Sequence, residues 1–599
     1  MPKNKDKSHG HSLLMRFLIW RLKHISDNNF ILIVASLIGL TSGLAAVTLK
    51  STVHYLQSIL QQNIDVTRMN YLYIVYPAIG IMLTILVRVF IVKDTPGHGI
   101  TRILRAISKN SSRIRKRYML SNMVKSAITV GFGGSVGLEA PIVVTGSAIG
   151  SNFGQFVHLD YKKRTLLIGC GAAGAISAIF NSPIAGVIFA IEVILNEAKI
   201  NKFIPILIAS VSGQLVSIIL LGEDILFSFK IVDSFSASDT PYYILLGITS
   251  GMASLYFTRV TYWVEDRLEA VQNTYVRAGL GGLALALIIF ILPPIYGEGY
   301  DSIKTLLQGN QLKFFSGSFF YSFADNDLLI IGALLMIILA KPFATSFTIG
   351  AGGSGGVFAP SLFMGGVTGF MFTKVAHVLF PYINISSSNF TLVGMCGVMS
   401  GVLHAPLTAI FLIAEITGGY TLFVPLMIVS AISFTTISYF EKYSIYTKNL
   451  IEKGDLIQHD SDRIVLSLID LKKIIERDLL TIHPDATLED LVELVKRSKR
   501  NIFPVINDNR ELEGIVTLDH IREIMFDREK QHNIVVKTIM QKPPAHVSPQ
   551  EKMQSVMNKF ELTQAWNLPV IDNGKYLGFV SKSRIFNAYR KKLIRQTKE

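Results

Sequence analysis

Cysteine and charge are what this sequence has least of. Two cysteines in 599 residues exclude a disulfide framework and a cysteine-built zinc site. Both Cys170 and Cys396 lie inside apolar runs, where a thiol is ordinarily an inert core group. Only 17% of the residues are charged and 50% are hydrophobic, whereas an ordinary soluble protein carries about a quarter charged. A soluble core of this size does not need so much apolar material, so a soluble enzyme is excluded as the default.

The charge is missing in blocks. Asn28–Leu49, Met69–Val87, Phe203–Gly222 and Ala278–Gly297 contain no Asp, Glu, Lys or Arg, and each is close to the roughly 20 residues that span a bilayer. Thr165–Ile191, Pro342–Thr373 and Val375–Ala414 are longer and interrupted by Gly and Pro. Broken helices are tolerated at membrane depth only where protein or a water-filled cavity surrounds them. Residues 28–450 therefore read as a polytopic α-helical domain with discontinuous helices, the pattern of a transporter or channel.

The formal net charge is +15. Residues 1–27 form a basic arm, and Arg102, Arg105, Lys109, Arg113, Arg115, Lys116 and Arg117 form a basic loop without an acid. Positive charge beside apolar spans predicts a cytoplasmic location in the cell membrane, not a nucleic-acid surface. No secretory leader is expected, because no small-residue cleavage site follows the first apolar run. After Phe440 charge becomes dense, which predicts a soluble cytoplasmic α/β region behind a linker at 451–477. A helix is expected from a capping box at Thr487–Asp490, and another from Ser548-Pro549, with the proline at its first position.

Both regions repeat internally. Phe503-Pro-Val-Ile506 recurs as Leu568-Pro-Val-Ile571, and Gly514-Ile-Val-Thr517 as Gly578-Phe-Val-Ser581. This pair, at 478–532 and 533–599, resembles tandem CBS domains. In the apolar region Gly133-Gly-Ser-Val-Gly-Leu-Glu-Ala-Pro141 matches Gly352-Gly-Ser-Gly-Gly-Val-Phe-Ala-Pro360, and Asn181-Ser-Pro183 leading to Glu192 matches His404-Ala-Pro406 leading to Glu415. Repeated halves with broken helices place a transport site at the repeat interface. Gly-x-Ser-x-Gly at Ser135 and Ser354, and Gly-x-Gly-x-x-Gly from Gly169 and Gly350, fit hydrolase and dinucleotide patterns. Neither has the strand–turn–helix setting those chemistries need. Glycines ahead of a helix expose its first N–H groups, which with the helix dipole bind an anion without a full positive charge.

These residues resemble the CLC family of chloride channels and chloride–proton antiporters. Gly97-His98-Gly99-Ile100-Thr101 is similar to the family's GSGIP motif, Gly137-Leu138-Glu139-Ala140-Pro141 to GREGP, and Gly356-Val357-Phe358-Ala359-Pro360 to GxFxP. Ser444-Ile-Tyr446 fits the terminal helix that brings a tyrosine to the pore. The resemblance implies transmembrane chloride transport, as a channel or a proton-coupled antiporter, and a homodimer with one pore per subunit. It implies that the amides of Val357 and Phe358 and the Tyr446 hydroxyl bind a central chloride. An outer site would lie at Leu138, Glu139 and Ala140, with the Glu139 carboxylate as gate and His98, Gly99 and Ile100 along the same pathway.

Three positions depart from the family pattern. His98 replaces the pore serine, Leu138 the outer arginine, and Val193 a second glutamate used by many exchangers. The CBS resemblance admits an adenine nucleotide at Thr517, Asp519 and Ser581, with His520 and Arg584 where an aspartate often stands. No metal, obligatory cofactor or enzymatic activity is expected. The competing readings are a fluoride or other anion transporter of the same fold, a CBS-bearing cation transporter, and a membrane hydrolase using Ser135 or Ser354.

Overall fold

The computed structural model describes residues 20–21, 23–61, 72–93, 99–195, 203–222, 235–318, 320–321, 326–452, 466 and 469–598. The chain divides into two compact units, 1–456 and 457–599. Among the described residues, eight helices are long and apolar enough to cross a membrane.

The first half of the membrane unit runs α1 (Asp27–Gln61), α2 (Leu72–Leu86), α3 (Gly99–Lys109), α4 (Tyr118–Gly131), α5 (Glu139–Phe156), α6 (Tyr161–Phe180), α7 (Pro183–Phe189) and α8 (Phe203–Leu221). The second half follows with α9 (Thr240–Glu269), α10 (Thr274–Ile291), α11 (Tyr300–Leu307), α12 (Asp327–Gly350), α13 (Phe358–Leu379), α14 (Ser387–Leu403), α15 (Pro406–Ile416) and α16 (Phe423–Phe440). Part of the expected basic loop is helical. Arg102, Arg105 and Lys109 lie on α3, whose Ile100, Ile103, Leu104 and Ala106 are buried; an apolar face at helical spacing orders this segment despite its charge.

Glycine sets the packing. A Cβ added to Gly150 would lie 1.9 Å from the Leu167 carbonyl oxygen of α6, and one added to Gly369 would lie 1.9 Å from the Phe390 carbonyl oxygen of α14. Gly146 meets Gly171, and Gly365 meets Gly394, in the same way. The α5–α6 and α13–α14 pairs are thus Gly-x-x-x-Gly crossings in which backbone touches backbone. Their positions in the two halves correspond, so the sequence repeat is a repeat of helix pairs.

Helix starts fall into three classes. α6, α10, α12 and α14 begin with side-chain caps from Asp160, Asn273, Asn326 and Ser386. α5 and α13, like α4, α9, α11 and α16, receive no cap from the side chain of their own N-cap residue, Leu138 and Val357 in the first two. α7 and α15 are capped from the opposite half. Glu415 accepts from the N–H groups of Ile184 (3.0 Å) and Ala185 (2.8 Å), while Glu192 accepts from those of Leu407 (3.1 Å) and Thr408 (2.8 Å). Each half thereby supplies the carboxylate that the other half's helix lacks.

The second unit holds two antiparallel hairpins. β1 (Ile502–Ile506) pairs with β2 (Leu512–Thr517), and β3 (Asn567–Asp572) with β4 (Lys575–Ser581). The helix Leu488–Arg497 opens with the expected capping box; the Thr487 N–H and hydroxyl hold the Asp490 carboxyl below its usual range. The other helix starts later than expected, at Met553, since the segment after Ser548 forms a turn.

The expected domain limits also need correction. Glu476 bridges to Phe579 in the second hairpin, and Gln541 bridges to Ile515 in the first. Ile469, Leu471 and Ile474, read as linker, are buried with Val547, Phe560 and Val580. Val536, assigned to the second domain, is buried with Phe503 and Val516 in the first. Each repeat sends its leading segment to the other's sheet, and sequence similarity between repeats cannot reveal such a swap. Gly514 and Gly578 make room for it: a Cβ on Gly578 would lie 2.4 Å from the Glu476 carbonyl oxygen.

Candidate functional site

The starts of α5 and α13 meet. Gly137 and Gly356 exchange backbone hydrogen bonds, both 2.9 Å, joining the Gly-rich loops that precede α5 and α13. Their residue numbers differ by the spacing of the sequence repeat, so the pairing lies on its pseudo-symmetry axis. Gly133 and Gly352 take the same left-handed turn, with φ of 89° and 110°, a conformation that favours glycine.

Glu139 is the first residue of α5 and is 2% exposed. Its Oε1 accepts from the Tyr300 hydroxyl. Its Oε2 is buried without a hydrogen-bond partner among the described residues. The N–H groups of Glu139 itself and of Ala359 face the carboxylate, so it lies at the starts of both α5 and α13. Leu138 and Ala140 are buried beside it.

Phe358 is buried; its ring stacks on Phe180 at 5.3 Å and meets Phe189 edge-on at 6.3 Å. Tyr446 is 4% exposed, and its hydroxyl is a second buried polar atom without a partner among the described residues. Its backbone is anchored by the Thr101 hydroxyl on α3, which donates to the Tyr446 carbonyl at 3.0 Å. Glu139 is within Coulombic reach of the Tyr446 ring oxygen. The Glu139 carboxylate and an orphaned hydroxyl therefore share one buried neighbourhood, lined by helix N-termini.

Gly99 sits at the start of α3, against Val144 of α5, and Ile100 is buried. Gly99 also lines a polar cavity of about 80 Å³ together with Gly352, Gly353, Ser354 and Gly355. Arg88, Arg102, Lys125 and Arg277 line the same cavity, against Glu265 and Glu269. His98 lies outside the described residues. The structure thus brings together Gly99, Ile100, Leu138, Glu139, Ala140, Val357, Phe358 and Tyr446.

Sequence reasoning missed the loop at 297–301. Gly297 and Gly299 both adopt positive φ, 62° and 87°, which turns Glu298 and Tyr300 back onto α5. Glu298 Oε1 accepts from the Leu138 N–H at 3.1 Å. The available signal was an acid between two glycines directly after an apolar run. Lys341 was also missed, although it is the one basic residue in α12. It is fully buried; its Nζ donates to Ser135 Oγ at 2.9 Å and to the Ile295 carbonyl at 3.4 Å, and lies 4.5 Å from the Phe363 ring.

That contact also bears on the hydrolase reading. The Ser135 hydroxyl donates to the Ile295 carbonyl at 2.8 Å and accepts from an ammonium. The Ser135 proton is thus directed at a backbone carbonyl and not at the base that a nucleophilic serine needs.

The proposed nucleotide residues do not form one cluster of free groups. The Ser581 hydroxyl donates to Glu476 at 2.5 Å, and Arg500 pairs with the same carboxylate at 2.5 Å. Asp519 is exposed and pairs with Arg522 at 2.6 Å. Thr517 precedes the short helix Leu518–Ile521 without capping it. Arg500 also pairs with Asp478, holding that carboxyl below its usual range.

Comparison with known proteins places this arrangement in a family. The model described as voltage gated chloride channel matches residues 79–438, and the CBS domain model matches 471–527 and 536–591. The chain is 25% identical over 486 residues to chloride channel protein CLC-f of Arabidopsis thaliana, covering 72% of this chain and 61% of that protein. It is 28% identical over 310 residues to the H(+)/Cl(-) exchange transporter ClcA of Vibrio cholerae, covering 50% and 62%. It thus spans less than two thirds of both relatives. Among solved structures, a slow cyanobacterial Cl-/H+ antiporter superposes with a TM-score of 0.60 at 22% identity, over 72% of this chain and 99% of that one. A eukaryotic CLC transporter gives 0.59 at 19%, over 92% and 97%. The chain belongs to the voltage-gated chloride channel family and carries a C-terminal pair of CBS domains.

Proposed function

We propose that this protein moves chloride across a membrane through a pathway within each chain, with the Glu139 carboxylate as its gate. One observation carries the reading: a buried carboxylate rests at the starts of α5 and α13, where a small anion would be held by N–H dipoles. Charged Glu139 occupies that place; protonation removes its charge and its claim on the amides, and an anion takes over. Phe358 and Tyr446 provide the inner amide site and the hydroxyl donor. The N-terminal arm and the CBS pair lie in the cytoplasm, and the protein is a homodimer whose subunits conduct separately.

The names of relatives support both a channel and a proton-coupled exchanger. The test is flux from proteoliposomes of chloride, nitrate and fluoride, with and without a proton gradient. Chloride is expected to be carried faster than fluoride, and chloride-driven proton uptake separates exchanger from channel. Absence of any anion flux overturns the proposal.

Glu192 is not expected to relay protons. Three bonds to Leu407 and Thr408, the third from the Thr408 hydroxyl at 2.6 Å, commit it to the start of α15. Its neighbour Val193 carries no proton. Glu192→Gln is therefore expected to leave the ratio of protons to chloride unchanged in protein that folds. Loss of proton movement with chloride flux retained would make Glu192 the relay.

A further inference from the structure

Glu298 has no counterpart in the pathway described above, yet it touches it directly. The N–H of Leu138 is one of the donors that the start of α5 leaves without an intrahelical partner, and is the amide next to Glu139. It is taken by the Glu298 carboxylate at 3.1 Å. The loop that delivers Glu298 is held at both ends. Gly297 N–H donates to the Gly133 carbonyl at 3.2 Å, and a Cβ on Gly299 would lie 2.5 Å from the Phe363 ring. The next residue, Tyr300, donates to Glu139. One four-residue turn therefore places an acid and a hydroxyl on the same helix start, the acid on the Leu138 N–H and the hydroxyl on the Glu139 carboxylate.

We propose that Glu298 is a second carboxylate at the gate, sharing the N-terminus of α5 with Glu139, and that its charge sets the pH at which Glu139 gives up that site to an anion. This rests on the reading of Glu139 as the gate.

The charged groups around Glu298 give the proposal a sign. Glu139 faces it from α5, Lys50 from α1 and Lys341 from α12, and Asp301 follows it on its own loop. A charged Glu298 repels a charged Glu139 and so favours protonation of the gate. Lys50 and Lys341 face Glu298 and favour its charged form, so they act in the same direction as that charge. With Leu138 rather than arginine in the motif, these two lysines are the positive charges that the described residues bring to Glu298. Removing Glu298's charge removes the repulsion, and Glu139 then holds its charge to lower pH. Removing a lysine loosens the hold on charged Glu298 and acts in the same direction.

The experiment measures chloride flux in cells expressing the full chain, with the cytoplasmic pH buffered and the external pH stepped. Glu298→Gln is expected to shift the midpoint of activation toward acid by about one pH unit, and Lys50→Met to shift it the same way by less. Glu139→Gln is measured alongside and is expected to abolish the dependence. If Glu139→Gln is pH-insensitive but Glu298→Gln keeps the wild-type midpoint, the proposal is overturned and the gate reading stands. If Glu139→Gln still responds to pH, the gate reading itself fails. Should Glu298→Gln not reach the membrane, the Lys50→Met midpoint decides alone: unmoved or alkali-shifted, it overturns the proposal.

Discussion

Glu139→Gln is expected to transport chloride at a rate that no longer depends on pH. Glutamine keeps the size of the side chain and can still receive the Tyr300 hydroxyl, but it carries no charge to hold at the starts of α5 and α13. In the wild type the fraction of neutral Glu139 falls about tenfold for each pH unit above its midpoint. Flux should follow that fall until another step limits it. The variant should stay within about twofold across the same range, measured as initial chloride efflux. The charge is what closes the pathway, so this variant should be open at every pH rather than slow. Retained pH dependence would move the gate to another group, and Glu298 is the first to examine.

The membrane architecture was legible because bilayers impose lengths. Charge-free runs marked the spans, and the Gly–Pro breaks marked helix starts. The repeat in sequence pointed to the interface where Gly137 meets Gly356. Tyr446 and Phe358 were placed by motif and lie near that junction. What the sequence hid is contact across long separations between residues with no signature of their own. Glu298 reaches Leu138 over 160 positions, and Lys341 reaches Ser135 over 206. A lone acid after Gly297 and a lone lysine ahead of Pro342 are unremarkable until the fold closes. The swapped leading strands of the CBS pair were hidden for another reason: two similar repeats look the same whether each keeps its own strand or lends it.

Gly150→Val is expected to prevent assembly of the protein, whereas Gly279→Val should be tolerated. At Gly150 even a Cβ would lie 1.9 Å from the Leu167 carbonyl oxygen, while a Cβ on Gly279 meets nothing within 4 Å. The first contact is backbone against backbone between α5 and α6, and neither helix can yield by turning a side chain. Displacing α5 would also displace Glu139 at its start, so any residual protein should lack gated flux. The measurement is the monodisperse fraction after detergent extraction, with Gly279→Val matching wild type and Gly150→Val recovered as aggregate or not at all. Normal recovery and flux from Gly150→Val would show that the helix crossing is looser than the structure has it.

The mutual capping by Glu192 and Glu415 has a bearing on biosynthesis. A ribosome releases α7 long before it has made Glu415, which lies 231 residues beyond the Ile184 amide it caps. Until then the start of α7 has no carboxylate partner, and Glu192 has no helix to receive it. The N-terminal half therefore lacks the carboxylate cap of α7 until the second half has been made. Closure of both caps in one docking step ties maturation of the first half to synthesis of the second, so a chain truncated before α15 leaves an exposed polar helix end in the bilayer for quality control to find.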